Sequence, residues 1–209
     1  MKLLIATHNA GKKREFAQLL AGLGLELVIL DDLKITFSIP ETGESYTANA
    51  LAKAQGYAAL AAMPTFADDS GLEVDALHGE PGVYSARFGG AISDSQRCEM
   101  LLQRMQAVPQ AKRTARFRCV IALAWPDGRS KWVEGICEGR ITTEMRGKGG
   151  FGYDPIFWVQ EAGMTMAELP GEHKNRISHR AKAAAKARML LVPIIKKAMS
   201  VRAWPEPGS

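Results

Sequence analysis

Two adjacent carboxylates, Asp68 and Asp69, followed by Ser70 and Gly71, are the residues in this chain best suited to chemistry. They follow a short apolar run, Pro64 to Ala67, that reads as a strand, and apolar alternation resumes at Leu72 and Val74. An apolar strand tolerates such a cluster mainly where it ends, at a crevice outside the carboxyl edge of a sheet. There, paired carboxylates can hold a hard cation through oxygen ligands, and one of them can accept a proton from water. The same four residues also suit a tight turn that an Asp side chain caps and Gly71 closes.

Four other segments carry residues that such a site could use. Thr7-His8-Asn9-Ala10-Gly11-Lys12-Lys13 joins a strand to a helix, where free N–H groups and two lysines favour an anion. This is not a P-loop, because the second glycine and the Gly-Lys-Ser/Thr ending are missing. Arg146 to Pro155 holds four glycines beside Phe151, Tyr153 and Asp154. So many glycines are costly unless the backbone approaches something closely, such as a flat ring stacked on Phe151 with Asp154 at its polar edge. Lys174, His179 and Arg180 lie at the entrance of a basic helix, placed for an anionic or carbonyl ligand. Glu41 and Glu44 precede a helix either as acids favouring its N-terminus or, for Glu41, as a further oxygen ligand beside Asp68 and Asp69. Asn49 and Lys53 fall one turn apart on that helix, a spacing that a solvated face explains equally well.

The elements that must position these groups alternate between strand and helix. Lys2–Thr7 and Leu25–Leu30 read as strands, with a helix between them burying Phe16, Leu19, Leu20 and Leu23. An Ala-rich helix runs from Tyr46 to about Met63, capped by Ser45 or Thr47, and an amphipathic one from Ser95 to Met105. Arg113–Trp125 and Lys131–Thr142 alternate well and form a hairpin turning at 126–129, so the sheet is mixed. Ile156–Val159 is a further strand, and the last helix ends near Met199. The organisation expected is one domain over 1–200 and a loose tail over 201–209.

Composition is that of a globular chain: 209 residues, 46% hydrophobic and 23% charged, with a formal net charge of +5. The basic balance suits an anionic ligand, but no Lys/Arg block interleaved with aromatics points to nucleic acid. Cys98, Cys119 and Cys137 have no metal-type spacing, and their odd number argues against a disulfide framework. Cys119 and Cys137 fall on facing strands of the hairpin, expected as free thiols in a reducing compartment. No apolar run reaches a membrane span and none reads as a signal peptide, so the expectation is a cytoplasmic protein without membrane partners.

Six segments in order then resemble one family. They are Thr7-His8-Asn9-x-x-Lys12, Glu41-Thr42-Gly43 with Asn49-Ala50-x-x-Lys53-Ala54, Ala67-Asp68-Asp69-Ser70-Gly71-Leu72, Gly82-Val83-Tyr84-Ser85-Ala86-Arg87, Gly150-Phe151-Gly152-Tyr153-Asp154-Pro155 and Ser178-His179-Arg180. Together they resemble the inosine/xanthosine triphosphate pyrophosphatases, which remove deaminated purine nucleotides, over residues 3 to about 195. The resemblance implies an elongated two-lobed α/β fold, with a central mixed β-sheet flanked by helices and a nucleotide cleft between the lobes. It further implies a homodimer, Mg²⁺ dependence, and hydrolysis of ITP, dITP and XTP to the monophosphate and pyrophosphate. By position, Thr7, His8, Asn9, Ala10, Gly11, Lys12 and Lys53 would hold the phosphates, and Glu41, Asp68 and Asp69 the metal. Asp69 would be the base, with Ser70 touching the substrate. Phe151, Gly152, Tyr153, Asp154, Lys174, His179 and Arg180 would form the base pocket.

Two alternatives stand beside this reading. A pyrophosphatase of the related septum-inhibitor-like family is disfavoured by the Ser-His-Arg and Gly-Phe-Gly-Tyr-Asp motifs. A nucleotide- or nucleic-acid-binding module without catalysis would gain nothing from three clustered acids.

Overall fold

A computed structural model describes residues 1–202. Seven strands form one mixed sheet in the order β2-β1-β3-β4-β5-β6-β7. β1 (Lys2–Ile5) lies parallel to both β2 (Glu26–Ile29) and β3 (Thr65–Val74). β4 (Thr114–Ala124), β5 (Ser130–Ile141), β6 (Phe157–Val159) and β7 (Met164–Thr165) continue the sheet antiparallel. β7 is an addition to the elements read from the sequence, as is the short helix α4 (Gly171–Ile177).

Helices cover both faces. α1 (Ala10–Leu19) and α5 (His179–Arg202) pack on one side, where Phe16 and Phe66 meet edge to face with Ile121, Ala183 and Ala187 around them. On the other side α2 (Tyr46–Ala61) lays Ala50, Ala54 and Ala58 against Ala67, Val120 and Ala122. Small side chains on both surfaces let that helix come close to the strands. Ser45 caps it, its side chain accepting from the N–H of Ala48. A separate core surrounds Leu72, Val74, Phe117 and Phe157, closed by α3 (Asp94–Arg104) through Cys98 and Leu101. β3 and β4 run through both cores, so one pair of strands is the floor of both lobes and of the cleft between them.

Two expectations need correction. The Asp68-Asp69-Ser70-Gly71 segment does not end its strand: β3 runs unbroken for ten residues, with Asp68 opposite Ile121 and Asp69 opposite Val120. The long alternating β4 supplies a continuous antiparallel partner. On the other edge β1 pairs only as far as Phe66, so the polar residues stand just past the end of one neighbour. The crevice is real, but the strand continues through it. The final helix extends three residues past Met199, to Arg202. The tail expected over 201–209 therefore begins inside that helix at 201–202, and 203–209 lie outside the described residues.

Cys119 and Cys137 are buried free thiols, as is Cys98; Cys137 faces Phe117 rather than Cys119 across the hairpin. Among the described residues no helix is long and apolar enough to cross a membrane.

α5 sits directly on the backbone of β5. A Cβ at Gly135 would lie 2.2 Å from the carbonyl oxygen of His179 and 2.3 Å from the nitrogen of Ala183. Gly135→Ala should therefore push the start of α5 off the sheet. Overpacking of this kind costs about 2 kcal/mol, which for a chain of this size lowers Tm by about 4–8 °C. Thermal unfolding followed by circular dichroism measures it, and an unchanged Tm would contradict the contact.

Candidate active site

Because side chains alternate along a strand, Asp68 and Asp69 project to opposite faces of β3. Asp68 points toward α1 and α5. Its Oδ2 lies 2.8 Å from Lys12 Nζ and accepts from the Ser70 hydroxyl at 3.2 Å. Asp69 points toward α2, where its Oδ2 accepts from Asn49 Nδ2 at 2.9 Å and its Oδ1 from the Ser70 N–H at 2.9 Å. Asn49 is held in turn, its Oδ1 accepting from the Gly43 N–H at 2.8 Å. Far from forming a solvated face, Asn49 and Lys53 are both buried against the strand. The Lys53 ammonium bonds the Glu41 carboxylate and the carbonyl oxygen of Asp68.

The two aspartates also differ electrostatically. Burial opposes ionisation of Asp68, but the fields of Lys12 and Lys53 overcome it and hold the carboxyl below its usual range. For Asp69 burial prevails over Lys53 and the Asn49 hydrogen bond, so this carboxyl is raised. Asp68 is thus favoured as an anion inside the protein. Asp69 borders the cleft and has the more basic carboxylate, the property a proton acceptor needs.

The cleft has a volume of about 470 Å³ and is lined by Thr7, His8, Asn9, Lys12, Glu41, Lys53, Asp69, Ser70, Phe151, His179 and Arg180, among others. This size falls within the range of small-molecule sites. Asn9 caps α1, its Oδ1 accepting from the Lys12 N–H at 2.9 Å, which orients the helix N-terminus toward the cleft. His8 Nε2 lies 3.1 Å from the carbonyl oxygen of Phe37.

Several expected site residues are placed differently. Asp68 is buried off the cavity wall, so Glu41, Asp68 and Asp69 do not converge; among the described residues no three acidic, His or Cys side chains gather around one point. The alternation of β3 is the reason. Ala10 and Gly11 do not line the cleft either: a Cβ at Gly11 would stand 2.6 Å from the Phe151 ring, so the glycine is a seat for that ring. Asp154 touches the cleft, but its Oδ2 is occupied by Lys174 Nζ at 2.6 Å and the Phe151 N–H at 2.9 Å. Lys174 sits behind Phe151, its ammonium 5.1 Å from the ring centroid and off the cavity wall. Gly152 and Tyr153 do line the cleft, Tyr153 being mostly buried with its hydroxyl donating to the carbonyl oxygen of Ser85 at 3.0 Å.

His179 is buried with both ring nitrogens free of hydrogen-bond partners, stacked on Phe117 at 4.6 Å between centroids. Burial, with Arg180 and Lys174 nearby, holds it well below its ordinary pKa and keeps it neutral. Its ring therefore offers one donor and one acceptor at the cavity wall. Arg180 lies 4.8 Å from the Phe151 centroid and donates to Ser70 Oγ at 3.2 Å.

Two participants went unassigned in the sequence. Arg87 lines the cleft and donates to the carbonyl oxygen of Glu41 at 3.1 Å; its segment matched the family pattern but gave no role. Glu15, on α1, bridges two buried cations, with Oε1 2.7 Å from Lys174 and Oε2 accepting from Arg180 at 2.8 Å. Its place one turn after Lys12 was the available signal, but nothing local tells a bridging acid from a surface one.

Burial works against Glu15's charge, yet Arg180 and Lys174 hold its pKa below the usual range. A depressed folded pKa means stability that is present above the unfolded value, near 4.5, and lost as pH falls through the folded one. Glu15→Gln, which leaves two buried cations with less counter-charge, should cost about 3 kcal/mol near neutral pH. Denaturant melts of both proteins should show that gap closing as pH is lowered through the carboxylate range. A gap independent of pH would refute the bridging role.

This arrangement has parallels in known proteins. The chain is 50% identical over 192 residues to a dITP/XTP pyrophosphatase of Desulforamulus reducens, covering 91% of this chain and 96% of that protein. It is likewise 50% identical over 183 residues to a dITP/XTP pyrophosphatase of Thermus thermophilus, covering 88% of each. A HAM1 protein from Coxiella burnetii superposes with a TM-score of 0.84 at 37% identity, covering 92% of this chain and 99% of that one. A solved dITP/XTP pyrophosphatase from Mycobacterium abscessus gives 0.73 at 41% identity, covering 90% and 98%. With the family model itself matching residues 3–190, these likenesses run through every segment that builds the cleft, and the chain belongs to the Ham1 family.

Proposed function

We propose that this protein hydrolyses non-canonical purine nucleoside triphosphates, ITP, dITP and XTP, to the monophosphate and pyrophosphate. The observation that carries the reading is the pairing in one cleft of a carboxyl group held by Asn49 and the Ser70 N–H, Asp69, with two buried or half-buried lysines, Lys12 and Lys53. Cutting between the α and β phosphates brings an electron-rich oxygen to an anionic centre, so the site must offer both a proton acceptor and fixed positive charge.

Each end of the cleft suits one end of a nucleotide. Lys12, Lys53, Arg87 and the N-terminus of α1 supply cations and free N–H groups for a polyphosphate. At the other end the exposed side of Phe151, neutral His179 and Arg180 suit a flat base with a carbonyl edge. A 6-oxo purine presents an acceptor at O6 and a donor at N1, whereas adenine presents the reverse. Donors at His179 and Arg180 match the first and would be left unpaired by the second, a mismatch that supplies large discrimination.

Glu41 and Asp69, the two of the three expected acids that line the cleft, would hold a divalent cation. The Lys53 ammonium lies among oxygens of Glu41 and Asp68, which supports a reading of this corner as suited to positive charge. When bound, Mg²⁺ supplies charge neutralisation to the phosphates and keeps the neighbouring carboxylate ionised. Asp69 accepts the proton of the attacking water, and Lys12 and Lys53 offset charge on the departing pyrophosphate.

The test is a product assay with Mg²⁺ on ITP, XTP, GTP, ATP and TTP. Pyrophosphate and monophosphate should appear from ITP and XTP, and excess chelator should stop the reaction. Asp69→Asn should lower kcat by about 10³-fold with the fold retained. Orthophosphate as the released product, or full turnover in chelator, would overturn this reading.

A further inference from the structure

The loop carrying Phe151 has no regular secondary structure, and positive-φ glycines stand on both sides of the aromatic residue, Gly150 at +73° and Gly152 at +62°. Two glycines in that region leave the backbone on either side of Phe151 with little intrinsic preference for one conformation. Yet the ring must hold a fixed position to serve as a stacking surface. Asp154 holds the N–H of Phe151 from within the loop. The next peptide is fixed from outside it, by α3.

Asp94, the first residue of α3, accepts the Gly152 N–H on Oδ2 at 2.7 Å. One turn later, Cys98 places its thiol 3.4 Å from the Gly152 carbonyl oxygen. Both polar ends of a single residue are thus held by one helix face. Asp94 is itself oriented, because its Oδ1 accepts from Arg97 Nη1 at 3.0 Å. Arg97 is buried, and its other nitrogens bind three carbonyl oxygens of the 88–92 segment that follows Arg87. Through this pair, the wall bearing Arg87 and the wall bearing Phe151 share one anchor. The Asp94 side chain is half exposed, while buried Arg97 has its three carbonyl partners besides. The distinctive work of Asp94 is local.

We propose that Asp94 is a positioning residue for the base pocket: oriented by Arg97, it fixes the Gly152 peptide and so the stacking face of Phe151. The part of this inference that concerns turnover rests on the purine triphosphate reading above. The anchoring itself does not, and the experiment separates them.

Amide hydrogen exchange of residues 148–153 should be compared between the wild-type protein, Asp94→Ala and Asp94→Asn. Losing the anchor in Asp94→Ala should speed exchange of the Gly152 amide at least tenfold relative to amides of β4, which report global stability. With ITP, KM should rise roughly tenfold, the loss of one charge-assisted hydrogen bond, while kcat changes much less. Asp94→Asn, which keeps one acceptor oxygen, should recover part of both effects. Unchanged exchange in Asp94→Ala overturns the proposal. So does an equal fall in kcat with KM constant, which would place the effect on the reacting centre. Should the wild-type protein turn over no purine triphosphate, the functional reading fails, and the exchange data still decide the anchoring.

Discussion

A carboxylate buried in the middle of a sheet is the constraint on which this structure depends. Asp68 is almost wholly enclosed, with a strand paired beside it and two helices above. An isolated charge there would be prohibitive, so the surrounding elements must bring cations to it. Lys12 comes from the start of α1 and Lys53 from the middle of α2, with Arg180 at the start of α5 adding its field. Those three helices belong to both faces of the sheet. Satisfying one charge fixes where each must sit, and it does so at the cleft. Arg180 and Lys174 in turn need Glu15, and Lys174 also takes Asp154. Compensation therefore spreads from one acid to a network that ends under the Phe151 ring.

Alternation along β3 divides labour between neighbours that the sequence makes look equivalent. The residue facing α1 and α5 meets cations and stays ionised. Its neighbour faces α2, where burial prevails and its carboxyl is raised. Thus one aspartate organises the site and the other is available for chemistry. Nothing but a strand gives adjacent side chains such different surroundings at so short a separation.

Periodicity in the sequence was enough to reveal the mixed sheet, the hairpin turning at Asp127-Gly128 and the main helices, because apolar spacing reports directly on which side of an element is buried. The site residues were legible as chemical types. Their placement was less so, since it depends on partners distant in the chain. Lys174 read as a group at the ligand, yet Glu15 and Asp154, 159 and 20 positions away, draw it behind Phe151. Asp94 stood just ahead of the amphipathic helix read from Ser95 and drew no reading; only the fold brings Gly152, 58 residues on, to its carboxylate. The strand at Asp68 was judged to end because polar residues suggested exposure, and the unbroken register with β4 could not be inferred from β3 alone.

The cleft itself follows from unequal strand lengths. β1 stops at Ile5 while β3 continues for eight residues beyond its pairing with Ile5 at Phe66, all of them held by β4. The chain leaving β1 must turn away over the vacated edge, and it turns into the capped start of α1. A helix N-terminus with Lys12 is thereby delivered to the place where β3 exposes Asp69 and Ser70. The second lobe packs on the far part of β3 and β4, so its loop with Phe151 reaches back over the same gap and rests on Gly11. The proposed phosphate-binding and base-binding surfaces then face each other because both are built on the two strands that pass through both cores. Moving one lobe relative to the other would require bending those strands, and their continuous pairing resists it. The separation of the two ends of the cleft is consequently set by the sheet, while the finer fit is left to loops such as the one Asp94 holds.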